Sequence, residues 1–516
     1  MTVNSGDSNE MSVPAGQKLQ GAQIAPRGKT LWNAIVRFGA QFISMLANLL
    51  ATPYIIRKLG VESYGVISVI NTMISYMAIA TTSLTATVGR NLTFAIECQE
   101  YEKANKEIST AVYGLVRLFV IAFFPLCALS IYIDHLIVIP PNLVAGARIF
   151  SIFSILFFIL ITLSGPLGAA MFVRNRLDLA SGAFLARTLF FIAIIVAFFS
   201  TVGASLPIYG FAMFASSLLL FFTHIWIHKH LLKSVEISNR WFDRTILRDI
   251  MSLGGWITFS QIGGLLFLQT DLIISNRILG PTITGQLAAI LVIPLQLRVF
   301  SGLVSSLFGP TQAAIAARKD WTAFSNYLLR SLRLTTLFFA LVVGVFCGSA
   351  HEVLSVWLGK EFASLTPVAL MLTAYLVLSL GCSPLAGSGL MLGKVKVPSI
   401  VTMVMGVGNV AICIILANTM GLMGIALSQC VMLLLLNVVF TSWYVSRICS
   451  ISLRSIWSEH FIGVLCFLGI TLISYGVNTF VAPVSLIMLV VSLSLSAGLG
   501  LLLLLPLGMQ ALRNNS

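Results

Sequence analysis

The chain has 516 residues, 58% of them hydrophobic and 9% charged, with a formal net charge of +14. A soluble fold has nowhere to bury this much apolar surface, which excludes a globular soluble protein. The positive excess is not a nucleic-acid footprint, because arginine and lysine gather in alternate connections between apolar runs, the pattern of a membrane protein with its basic loops in the cytosol.

In chain order, residues 1–30 hold Ser, Asn, Gly and Gln with little apolar content. They read as a disordered cytosolic tail, since a signal peptide would need a short apolar region and a cleavage site. Fourteen apolar segments follow, near 31–56, 63–83, 109–133, 144–170, 179–200, 205–227, 253–276, 284–308, 329–350, 363–385, 397–417, 420–445, 457–476 and 482–507. Stretches such as Thr188–Phe199 and Val481–Leu505 carry no formal charge, and a helix of about 20 apolar residues crosses the hydrocarbon core. Alternation of the barrel kind is absent, so helices satisfy the backbone in lipid. The prediction is an all-α polytopic membrane protein.

The end of the first segment carries RKLGVESYG, Arg57–Gly65, which returns as RILGPTITG, Arg277–Gly285, at an offset of 220 residues. At the same offset Arg174 and Arg176 correspond to Lys394 and Lys396, and Tyr209-Gly210-Phe211-Ala212 corresponds to Met423-Gly424-Ile425-Ala426 at an offset of 214. Three landmarks in one order predict two parallel six-helix repeats, the build of many secondary transporters. The predicted division is 31–228 for the first bundle, 229–252 for a cytosolic linker, 253–446 for the second bundle, and 447–516 for helices 13 and 14 with a short tail. The linker is basic, and its amphipathic stretch Trp241–Ile250 reads as a surface helix at the interface.

Counted on the sequence, 20 Arg or Lys fall on the side of the two termini, four on the other side and seven inside the segments. This bias places both termini in the cytosol of a multi-pass inner-membrane protein. Attraction to anionic membrane lipids accounts for the excess without an acidic or nucleic-acid partner.

Inside the segments charge is costly and therefore informative. Asp271, in segment 7, is the acidic residue set well within a span. It reads either as a proton or cation relay or as a hydrated or ion-paired helix-end residue. Arg37 in segment 1 shares one helix face with Gln41 and Asn48, and Arg298 in segment 8 follows Pro294, where a helix can bend. Arg117 and Arg187 also sit deep. Arg37, Gln41, Asn48, Arg117, Arg187 and Arg298 are the cavity candidates, with snorkelling to the headgroups as the competing reading of the arginines. An excess of arginine over carboxylate predicts a positive cavity suited to an anion such as a diphosphate.

Other signals fail. No GxxxxGK[ST] loop, HExxH or GxSxG is present, so neither ATP-driven transport by this chain alone nor an enzymatic site is expected. The eight cysteines contain no CxxC pair and read as small hydrophobes rather than as disulfides or metal ligands. No cofactor or metal is predicted. His224, His228 and His230 read as interfacial or capping residues.

The stretch Asn48–Gly65, supported by Gly254–Gly280 with Trp256 and Asp271 and by Leu390–Lys394, resembles the polysaccharide transporter family. These are the O-antigen and lipid-linked oligosaccharide flippases, in the superfamily that also holds the multidrug and toxin extrusion antiporters. The resemblance covers roughly 31–450. It implies a V-shaped central cavity and movement of a polyprenyl-diphosphate-linked glycan across the bacterial inner membrane by alternating access, in surface polysaccharide biosynthesis. It further implies that Arg37 and Arg298 hold the diphosphate or acidic sugars, and that Asp271 couples transport to a proton or sodium gradient. A glycan polymerase and glycosyltransferases are the expected partners. The alternatives are a multidrug or cation antiporter and a non-transporting scaffold of a glycan-assembly complex.

Overall fold

Each apolar run closes its backbone hydrogen bonds within itself, and the chain becomes a series of long helices. The computed structural model describes residues 27–86, 88–253 and 255–513; the predicted tail lies outside them except for 27–30, which open the first helix. The spans are α1 Arg27–Leu59, α2 Val61–Ala86, α3 Tyr101–Ile131, α4 Val144–Val173, α5 Leu177–Thr201, α6 Leu206–Leu231, α7 Gly255–Leu268 continued by Thr270–Leu279, and α8 Pro281–Ala317. They continue as α9 Trp321–Gly348, α10 Lys360–Gly381, α11 Lys396–Met420, α12 Leu422–Cys449, α13 Leu453–Val481 and α14 Leu486–Arg513. Among the described residues thirteen helices are long and apolar enough to cross a membrane. The 26-residue α2, with its Asn71, Thr72, Ser75 and Tyr76, lies beside them, which is consistent with the predicted fourteen.

Several helices are interrupted. α7 breaks at Gln269. α10 is built from Thr366–Ala374 and Leu376–Gly381 with Tyr375 at the joint, and the chain runs on as Ser383–Met391. α12 widens into a π-turn over Leu435–Phe440. Such interruptions free backbone groups that a lipid-facing helix cannot leave unpaired, so they belong where protein packs around them.

The repeated turns are where α2 and α8 meet. Gly60 at φ +85° and Gly280 at φ +89° end α1 and α7 in a conformation that side chains resist. A Cβ on Gly65 would collide with the carbonyl oxygen of Pro281, and one on Gly285 with that of Val61. These are corresponding positions at the 220-residue offset, so the contact is reciprocal. Thr282 Oγ1 donates to Glu62 Oε1 at 2.9 Å. The two arginines of the motif find carbonyl acceptors far from them in the sequence. Arg57 donates to the Trp357 carbonyl at 3.4 Å, and Arg277 to the His135 carbonyl at 3.1 Å.

The last two helices dock on α9 through small and polar residues. Asn478 donates to Ser349 Oγ at 2.6 Å and to the Gly348 carbonyl at 3.2 Å, and Ser474 pairs with Ser349 at 2.7 Å. Small residues let the backbones approach, and the buried polar groups find partners across the seam.

The stretch between α6 and α7 is laid along α3 rather than standing free. Backbone N–H groups of Glu236 and Asp243 donate to Asn105 Oδ1 at 2.8 Å and Thr110 Oγ1 at 3.0 Å. Its helix, Arg244–Leu253, packs against α2 and α3, and Ile246 and Leu247 join the small apolar cluster around Leu115 and Phe158.

Candidate functional site

Asp271 sits in the first turn of the second half of α7, immediately after the break at Gln269. It is 1% exposed. Its Oδ2 accepts from Gln429 Nε2 at 2.8 Å, and its Oδ1 from the Cys413 thiol at 3.6 Å. These donors are neutral, and among the described residues no salt bridge offsets the burial of the carboxylate. α11 supplies Cys413 and Asn409, and α12 supplies Gln429. Asn409 is also buried here, and its side-chain oxygen accepts from Ser428 at 3.5 Å.

A chain of side chains leads from Asp271 to the best basic candidate. Gln429 Oε1 accepts from the Tyr375 hydroxyl at 3.2 Å. The Tyr375 hydroxyl in turn accepts from the Arg298 guanidinium, which also lies 5.8 Å from the Tyr375 ring centre. Gln429 Nε2 is held from the other side by the Phe267 carbonyl at 3.3 Å. Arg298 and Asp271, predicted separately, are thus brought into one polar chain. α2 closes the other flank, where the Tyr76 hydroxyl pairs with Thr270 and Thr72 donates to Gln269 Oε1 at 3.2 Å.

The remaining candidates are dispersed. Arg37 is exposed and Gln41 half-buried on α1, where Phe38 meets Phe300 of α8 with ring centres 6.0 Å apart. Asn48 spends its amide on its own helix, donating to the Ser44 carbonyl at 2.8 Å. Arg187 is half-buried against the rings of Phe184 at 5.0 Å and Phe157 at 5.8 Å, with its Nε unpaired among the described residues.

Arg117 departs from the cavity expectation. Its guanidinium lies 3.6 Å from the Phe242 ring centre and donates to Asn239 Oδ1 at 2.9 Å, so it fastens the linker to α3. Two further arginines inside the predicted segments are structural: Arg148 pairs with Asp134 at 3.0 Å, and Arg333 with Glu459 at 2.6 Å. Arg333 and Glu459 form a two-pronged, largely buried pair.

Sequence reasoning missed Tyr375, Gln429, Asn409 and Cys413, because a search for charge passes over neutral polar groups. The available signal was a buried amide within an apolar helix, which is costly unless it has a partner.

No protein-family model matches the chain. The chain is 31% identical over 411 residues, 79% of its length, to the uncharacterized membrane protein EpsK of Bacillus subtilis (strain 168), covering 81% of that protein. It is 23% identical over 431 residues to a putative O-antigen transporter of Shigella flexneri, covering 82% of this chain and 98% of that one. Among solved structures, an inward-facing multidrug resistance MATE family transporter of the MOP superfamily superposes with a TM-score of 0.67 at 17% identity, over 81% of this chain and 99% of the other. The lipid II flippase MurJ superposes with a TM-score of 0.64 at 14% identity, over 91% and 98%. The chain therefore carries the MOP-superfamily transporter fold, which is seen in both inward-facing and outward-facing conformations. Its long apolar helices and its kinship to a membrane protein make it a multi-pass membrane protein.

Proposed function

The chain belongs to the family of the Bacillus subtilis membrane protein EpsK, and from that premise we propose that it moves a polyprenyl-diphosphate-linked glycan across the membrane by alternating access. Two parallel six-helix units rock against one another, with both termini in the cytosol. The lipid tail stays in the bilayer while the headgroup crosses between the units, which avoids moving phosphate through hydrocarbon. Arg298 is the observation that carries the reading. Its guanidinium is half-buried in a span and bonded to a neutral hydroxyl rather than to a carboxylate, so its charge can pass to a phosphate or an acidic sugar once that bond is released. Arg37 and Arg187 add positive potential, and Gln41 and Asn48 add polar surface. Asp271 is the coupling group for a proton or sodium gradient, as expected of a buried carboxylate with neutral donors only.

Two comparisons support the glycan cargo: the sequence relative that is a putative O-antigen transporter, and the MurJ superposition over 91% of the chain. A second reading, an antiporter of drugs or organic cations, is the one the fold comparisons favour, since most of the matching structures are multidrug transporters. A cation carrier presents carboxylates and open aromatic faces to its cargo. Here the carboxylate of the site is buried against neutral donors, and a half-buried guanidinium stands at the other end of the chain of side chains.

Reconstituted translocation separates the two. In proteoliposomes a labelled polyprenyl-diphosphate oligosaccharide is expected to cross, with at least about a tenfold loss in Arg298→Gln, from removal of a charge-assisted contact. Asp271→Asn is expected to remove the dependence on pH and sodium gradients. Transport of cationic dyes with no response to the diphosphate would establish the antiporter reading instead.

A further inference from the structure

We infer that Arg298, Tyr375, Gln429 and Asp271 form one directional hydrogen-bond relay through which occupation of Arg298 by an anionic group and protonation of Asp271 control each other. It deepens the proposed function, and rests on it only for the identity of what occupies the two ends.

The direction follows from the donors. A guanidinium only donates, so the Tyr375 oxygen accepts from Arg298 and directs its own proton onward to Gln429 Oε1. The amide is then oriented with its nitrogen toward Asp271 Oδ2, and the Phe267 carbonyl accepts its second proton and holds that orientation. Every bond is donated toward the carboxylate. Successive bonds in such a chain polarise one another, and a negative charge at its end strengthens them all.

The same geometry makes the ends antagonistic. With Asp271 ionised, Arg298 is drawn onto Tyr375 and withheld from other anions. A proton on the carboxyl removes the charge that polarises the chain, the Arg298–Tyr375 bond weakens, and the guanidinium is released to other anions. By reciprocity an anion that takes Arg298 favours the protonated carboxyl by the same factor. Tyr375 stands at the joint of α10 and Asp271 beside the break of α7, so the chain ties two interrupted helices whose movement the rocking cycle requires. Tyr375 and Gln429 are positioning residues, acting through Arg298 and Asp271.

The titratable and charged groups facing Asp271 among the described residues are Cys413 on α11, Tyr76 on α2, Tyr375 on α10 and Arg298 on α8. Attraction through space from Arg298 is the competing account of any coupling, and Tyr375→Phe separates the two because it cuts the bond and leaves both charges.

The test uses the full-length protein in detergent and needs no cargo. The infrared carboxyl band of Asp271, identified by its loss in Asp271→Asn, is titrated with and without Arg298→Gln. The relay expects Arg298→Gln to change the proton affinity of Asp271 by at least about fivefold, and to have no such effect in a Tyr375→Phe background. Gln429→Met gives the same cut if Tyr375→Phe is not monodisperse, and Cys413→Ala, off the relay, leaves the Arg298 effect intact. An equal Arg298 effect with and without Tyr375, or none in either, overturns the relay. In a separate arm farnesyl diphosphate is added. Its failure to bind counts against the diphosphate cargo, whatever the titrations show.

Discussion

At the residue scale, charges within one chain meet very different fates, and neighbours decide which. Arg333 and Glu459 neutralise one another, Arg117 lies on an aromatic ring of the linker, and Arg298 is held by a neutral hydroxyl. Asp134 and Asp271 make the sharpest contrast. Asp134, in the turn between α3 and α4, accepts from Arg148, which holds its carboxyl below the usual carboxylate range. A carboxyl depressed in the folded chain stabilises it above the unfolded value, about pH 4, and that contribution disappears as pH falls through the folded value. Wild type is therefore expected to melt slightly above Asp134→Asn at neutral pH and to converge with it below about pH 3. Melting curves in detergent across that range check the sign. Charges such as Asp271 and Arg298 were legible in the sequence because a charge in an apolar run has few explanations. Gln429 and Tyr375 were not, because an amide or phenol in a helix is ordinary until its partner is known.

At the scale of elements, the echo of RKLG and RILG was visible as spelling, whereas its meaning lay in the contact of α2 with α8. Gly65 and Gly285 are small because each faces a backbone carbonyl of the other helix, and a carbonyl on a helix cannot move aside as a side chain can. Gly285→Ala is accordingly expected to destabilise by about 1–3 kcal/mol through overpacking. Gly264→Ala, on α7 with nothing within 4 Å of the added Cβ, is expected to be neutral or slightly stabilising. Thermal unfolding of the two variants in detergent makes the comparison, and equal losses would mean that the α2–α8 approach is not tight. Helix number followed from hydropathy alone, but the breaks at Gln269 and Tyr375 did not, since no proline or glycine occupies either position. Packing and side-chain hydrogen bonds decide where those backbones open.

For the whole molecule, the reciprocal clasps of the two repeated turns join helices far apart in the sequence. Arg57 reaches Trp357, Arg277 reaches His135, and Thr282 bonds Glu62. In the proposed alternating-access cycle these clasps part each time. In a cysteine-free background, joining Glu62→Cys to Thr282→Cys with a short reducible crosslinker is expected to arrest transport, and reduction to restore it. Undiminished transport with the link in place would show that the halves work without separating there.

The sequence by itself determined that this is a membrane protein of about fourteen helices with a repeated turn, an acid set within a span and an excess of arginine. Those properties are local, because the bilayer makes each helix satisfy its own backbone and penalises each charge one at a time. Only the tertiary structure decided which arginines are spent on structure, that the repeated glycines face each other, and that four residues from α7, α8, α10 and α12 form one chain of hydrogen bonds. Those depend on which helix stands beside which, and neutral polar groups declare their partners only when packing brings them within about 3 Å.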